Sequence, residues 1–104
     1  MGSTIGTVRA FPAGARQRAG YQLYLVQQGL DPNDWKPLPS VGPGVREIRV
    51  HIDGEYRVFY VAKFAEAIYI LHAFEKRTRR TRQQADIELA KKHLSEVTRL
   101  RLQK

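Results

Sequence analysis

Between Val45 and Phe74 the chain alternates apolar and polar residues in three successive runs, and no other feature narrows its fold as far. Ile48, Val50 and Ile52 alternate with Glu47, Arg49 and His51, the period of two expected of a half-buried strand. Asp53-Gly54 follows, a pair suited to the positive φ angles of a tight hairpin turn. Glu55 to Ala62 predicts a returning strand, Lys63 to Glu66 a second turn, and Ala67 to Phe74 a third strand. The expectation is an antiparallel meander. Its polar positions hold Arg49, His51, Arg57 and Lys63 instead of neutral residues, so one sheet face should display guanidinium and imidazole groups.

Helical spacing flanks this meander. Ala15, Ala19, Leu23 and Val26 recur every three or four residues, which predicts a helix from Ala13 to Gln28 with Gly29 as its stop. A further turn or two of helix is expected in MGSTIGTVRAFP, ended near Pro12. The stretch DPNDWKPLPSVGPG is rich in Pro, Gly, Asn and Asp and reads as loop throughout, pinned by Trp35 and Leu38. From Gln83 to Leu102 the helical period returns, with Ile87, Ala90, Leu94, Val97 and either Leu100 or Arg101 as the apolar stripe. Two N-terminal helices, an antiparallel sheet and a C-terminal helix make a small α+β domain.

At 104 residues the chain forms one domain with a modest core. No apolar run approaches the roughly 18 residues of a membrane span, and the N-terminus lacks a basic segment followed by an apolar one, so no secretion signal is expected. Cysteine is absent, which fits a reducing cytoplasm as the expected location. The 18 basic residues outnumber the 10 acidic ones, for a net charge of +8. Ten of the 18 lie in the last 30 positions, and Lys76, Arg77, Arg79, Arg80 and Arg82 fall within seven residues. Clustering of this kind favours an anionic polymer as partner, with RNA the first choice.

The chemistry follows from the residue types. Metal binding and cofactors are not expected, because His51, His72 and His93 show no ligand spacing and no glycine-rich phosphate loop joins a strand to a helix. Cutting RNA without metal needs a group to take the 2′-hydroxyl proton, cations to neutralise the phosphorane, and a group to protonate the leaving 5′-oxygen. Arg49, His51, Arg57, Lys76 and Arg77 could form the cationic cluster, with pKa values of His or Lys lowered by crowding among cations. His72 and Tyr60 are further candidates for proton transfer, and Arg46, Lys63, Arg79, Arg80 and Arg82 for holding RNA or the ribosome. The bland alternative is a solvated sheet face beside an exposed basic loop.

The run from GYQLYLVQQG through KPLPSVG, VREIR, YRVFYVAK and HAFEKRT, in that order, resembles the phage-derived, HigB-like subfamily of RelE/ParE toxins from type II toxin–antitoxin systems. The resemblance covers roughly residues 8 to 95. It implies two N-terminal helices packed on an antiparallel sheet and a C-terminal helix. It also implies a metal-independent endoribonuclease that cuts mRNA on the ribosome. The arginine of the family's YRLVY-like strand falls on Arg57, the basic position of the preceding strand on Arg49, and the basic pair after the last strand on Lys76 and Arg77. His51 stands at a nearby basic position. The family's C-terminal tyrosine has no counterpart after Tyr69, nor does the Asp-Tyr-His ending of some members, which leaves the proton-transfer role open among His51, His72 and Lys76. Relatives carry another strand ahead of MGSTIGTVRAFP, and a sheet without it would expose an unpaired edge suited to dimerisation or partner pairing.

The expected partners are mRNA, the ribosome and a cognate antitoxin of helix-turn-helix type, joined with the toxin in a hetero-oligomer, and no membrane. Two other functions suit the same fold, a ParE-like inhibitor of DNA gyrase that cleaves nothing, and an inactive RNA-binding module.

Overall fold

The computed structural model describes residues 11–62, 68–76 and 84–102. Its elements are α1 (Ala13–Gln27), β1 (Trp35–Pro37), β2 (Val45–His51), β3 (Glu55–Val61), β4 (Tyr69–Glu75) and α2 (Gln84–Leu102). The four strands pair antiparallel in chain order. The α+β meander of the sequence reading is therefore present. One helix precedes the sheet among the described residues, and the other expected N-terminal helix falls on the first ten residues, outside them.

Helix α1 stops where its sequence says it should. Gly29 has a φ of 81°, its N–H donates to the Val26 carbonyl, and the Leu30 N–H donates to the Leu25 carbonyl. This is the Schellman arrangement, which favours glycine because its left-handed residue lacks a Cβ. Ala15 and Ala19 are fully buried, and Leu23 and Val26 pack beside them, so the helix lies close on the sheet. Beneath it sit Ile48, Val50, Tyr56, Val58, Tyr60 and Ala73, while the Phe11 ring packs at a tilt against Tyr56, centroids 4.8 Å apart.

Helix α2 covers part of the opposite face. Ile87, Ala90, Leu94 and Val97 meet Val45, Phe59, Val61 and Leu71, with Leu38 and Val41 closing the side. Leu100 is exposed and does not extend this stripe. The two helices thus sandwich the sheet, with a separate apolar cluster under each.

Two departures from the sequence reading affect the site. Residues 35–37, expected as loop, form β1 along the edge of β2, with Lys36 paired to Glu47. Proline at Pro37 hides the strand signal, yet proline is tolerated at a sheet edge, where one side of the strand needs no donor. The second departure is in β4. Phe59 pairs with His72 while Tyr60 pairs with Ile70, which leaves Leu71 as an extra residue in β4. The bulge breaks strict alternation, and both Leu71 and His72 meet α2.

The hairpin between β2 and β3 is a three-residue connection, since His51 pairs with Glu55. Asp53 and Gly54 have φ values of 51° and 143°, the positive angles the Asp-Gly pair predicts.

Candidate functional site

Strand register sets the polar residues of the meander in rows on the face away from α1. Arg49 of β2 stands opposite Arg57 of β3, which stands opposite Phe74 of β4. The adjacent row runs Lys36, Glu47, Phe59, His72 across all four strands. His51 and Glu55 face each other where the hairpin closes. Because α2 packs over the far end of this face, the polar rows lie between helix and hairpin.

Two guanidiniums directly across a strand pair repel each other. Glu47 offsets that repulsion from below. Its Oε2 lies 3.3 Å from Arg49 Nε, 3.8 Å from Lys36 Nζ and 3.9 Å from Arg57 Nε. Glu47 is 0% exposed, and its Oε1 has no hydrogen-bond partner. Alternation alone puts Glu47 on the solvated side, but it is the buried centre of the cations. Burial of an ion is tolerated only with such pairing.

The same packing corrects the expectation for Arg57. It is 6% exposed, not displayed. Its Nη1 donates to the Tyr56 carbonyl at 3.2 Å, and Nη2 lies 3.6 Å from Glu55 Oε1. As part of an inner strand, Arg57 is flanked by Arg49 on one side and Phe74 on the other. Arg49 and Lys36 keep 34% and 46% of their side chains exposed, so they are the cations of these rows that a ligand reaches.

His51 also departs from expectation. Its Nε2 lies 2.7 Å from Asp34 Oδ2 and its Nδ1 2.5 Å from Glu55 Oε2. A neutral imidazole has one N–H, so ionised carboxylates on both nitrogens require the imidazolium form. The bond to Glu55, then that to Asp34, raises His51 above its ordinary pKa, and His51 in turn lowers Glu55. Crowding among cations was expected to lower the histidine; flanking carboxylates raise it instead.

His72 is placed differently. Its Nε2 bonds Asp86 Oδ1 at 2.8 Å, and its ring stacks on Phe74 with centroids 5.1 Å apart. Asp86 comes from the first turn of α2. With Asp86 accepting from Nε2–H, the neutral ring carries its lone pair on Nδ1, the form of a base oriented by a carboxylate. Lys76 follows β4 directly and donates its backbone N–H to the Glu55 carbonyl at 2.7 Å. His93, on α2, bonds the Leu71 carbonyl and belongs to the packing of α2 on β4.

The sheet separates two candidates from this group. Arg46 and Tyr60 pair with each other on the α1 face. Arg46 lies over the Trp35 ring at 4.1 Å and pairs with Asp31 at 3.0 Å. Tyr60 is 0% exposed beneath α1 and its hydroxyl makes no hydrogen bond of normal geometry, so it cannot meet a substrate held at Arg49. Burial pushes its phenol up, against the pull of the nearby Arg46 guanidinium. A cleft of about 350 Å³ opens beside Arg46, between Val26, Leu30, Asp31 and Ala62, and is not lined by Arg49 or Arg57. Tyr21 and Tyr24 are exposed on α1. Lys63, Arg77, Arg79, Arg80 and Arg82 lie outside the described residues.

Sequence reasoning missed Lys36, Glu47, Asp34 and Asp86. For Glu47 the signal was present, since it shares the alternation of Arg49 and His51. For the others, only pairing in space brings them to the site.

These features define a class: an α+β domain with a meander sheet between two helices, whose partly uncovered face carries cations around a buried carboxylate. Within that class, the chain belongs to the Gp49-like family of phage-derived proteins, whose family model matches residues 7–95. Proteins of this family are commonly toxin-like members of toxin–antitoxin systems. No curated protein and no solved structure matches the chain. Among the described residues, no helix is long and apolar enough to cross a membrane.

Proposed function

We propose that the chain is the toxin of a type II toxin–antitoxin system of HigB-like kind. In this reading it is a metal-independent endoribonuclease that cuts mRNA on the ribosome, in the cytoplasm. The observation that carries the reading is one sheet face holding both a cation pair and an oriented histidine: Lys36 and Arg49 on β1 and β2, and, across Phe59 of β3, His72 of β4 with its Asp86. The family membership and the net charge of +8 support it.

This reading assigns each residue a role. Arg49 and Lys36 hold the RNA backbone by its phosphates and add positive charge to the face on which the reacting phosphate lies. His72, with its lone pair on Nδ1, takes the 2′-hydroxyl proton. The 2′-oxygen then attacks phosphorus, the bond to the 5′-oxygen breaks to leave a 2′,3′-cyclic phosphate, and the leaving oxygen takes a proton from water while His72 returns its own to solvent. His51, held as imidazolium by two carboxylates, supplies positive charge at the hairpin end of the same face. Glu47 holds these cations from below, and Arg57, buried beside it, does not touch RNA.

In a reconstituted translation mixture, labelled message should be cut by the chain when ribosomes are present and stay whole without them. Message left whole in both cases would refute the reading. An antitoxin in this account carries acidic or apolar segments that cover the cationic face.

A further inference from the structure

We propose that Lys36 and Arg49 form one two-point seat for an RNA phosphate and that Glu47 is the positioning residue that holds it open. The inference rests on the reading above in taking RNA as the ligand, and it assigns roles to Lys36 and Glu47 that neither the sequence nor the family match supplied.

Three observations carry it. First, Lys36 Nζ and Arg49 Nε approach the same Glu47 oxygen, from the β1 side and along β2, at 3.8 and 3.3 Å. One carboxylate oxygen therefore fixes where both cations start, and each keeps a third or more of its side chain exposed. Second, Glu47 itself is fully buried, so it cannot be a ligand-binding group and acts only through its neighbours. Third, its hydrogen bonding is incomplete: Oε1 has no partner, and neither does the buried Arg57 Nε beside it. Arg49 opposite Arg57 is an arrangement that repulsion would splay apart without the intervening anion. Glu47 thus presents two cations, one on a short edge strand and one on an inner strand, to the same side. A phosphate oxygen accepts from both.

General electrostatics and positioning predict opposite signs for one substitution. Glu47→Gln removes a negative charge from a face that binds a polyanion, so charge counting alone predicts tighter RNA binding. Positioning predicts weaker binding, because Arg49 and Lys36 lose their common anchor. The probe is a short 2′-O-methyl RNA oligonucleotide, which binds but has no free 2′-hydroxyl for cleavage. Its affinity is read by fluorescence anisotropy across a salt series. Lys36→Met and Arg49→Met are each expected to lower the slope of log affinity against log salt by about 0.7, the value for one phosphate contact with a single strand. Lys92→Met, which removes the same charge from an exposed site on α2, is expected to leave the slope unchanged. Tighter binding by Glu47→Gln, in a variant whose circular dichroism matches the parent, would overturn the positioning role. Should that variant not fold, Lys36→Met still decides the seat: a slope equal to that of Lys92→Met overturns it. Absence of binding by the parent chain would instead overturn the RNA reading beneath the proposal.

Discussion

Replacing Arg57 by Met tests whether the buried ion pair is a structural unit. The side chain is 6% exposed and lies beside a carboxylate that is 0% exposed. Removing one member of a buried pair leaves an uncompensated charge, which costs about 3–5 kcal/mol. Arg49 and Lys36 remain near the same Glu47 oxygen, at 3.3 and 3.8 Å, so the lower end, about 3 kcal/mol, is expected. A domain of this length shifts its melting temperature by roughly 4–8 °C per kcal/mol, so the variant should melt roughly 12–24 °C lower. Urea unfolding of Arg57→Met, Glu47→Gln and the double variant closes a cycle, whose coupling should be about 2 kcal/mol with the double variant far less damaged than the sum. A loss below about 1 kcal/mol for Arg57→Met would refute the reasoning, because it would mean water or relaxation already serves Glu47. The resemblance carries a site role onto Arg57, but because Arg57 is buried, inactivity of an Arg57 variant reports on folding as well as on chemistry.

Other outcomes are expected from the same geometry. His51 has a raised pKa, so its contribution is full below its ordinary 6.5 and is lost as pH rises through the raised value. Glu55 has a lowered pKa, so its contribution is present above 4.5 and is lost as pH falls through the lowered value. Stability measured against pH should therefore fall on both sides of that window, and His51→Asn should flatten the alkaline limb; an unchanged limb would contradict the double carboxylate clamp. A Cβ at Gly42 would stand 2.6 Å from Leu94 Cδ2, the end of a partly buried side chain that can turn aside, so Gly42→Ala should cost about 1 kcal/mol and raise hydrogen exchange in α2 first. Asp86→Asn should keep the fold but slow message cutting about 100-fold, since His72 loses the carboxylate that orients its ring; an unchanged rate would remove His72 from proton transfer.

Much of this fold is legible in the sequence because its signals are local. The Ala15–Ala19–Leu23–Val26 stripe, the Gly29 stop, the Asp53-Gly54 turn and the alternation from Val45 onward each depend on a few neighbouring residues. The site is less legible for two reasons. Alternation tells which residues share a face but not how deeply each sits, so Arg57 and Glu47 look exposed until inner-strand packing buries them. Period two also places Arg46 with Ile48 and Val50, a consequence that separates it and Tyr60 from Arg49, while composition alone groups all the cations together. The pairing of Lys36 with Glu47 required a strand in a proline-rich stretch, and the meeting of His72 with Asp86 required the bulge at Leu71. Neither is local.

The central claim is cleavage of translated message, and mapping of mRNA 5′ ends after induction of the chain in a bacterium tests it most directly. The account predicts new ends within coding sequences, in register with the reading frame and confined to messages under translation. Growth arrest with message intact and DNA supercoiling lost would contradict it and favour a gyrase inhibitor.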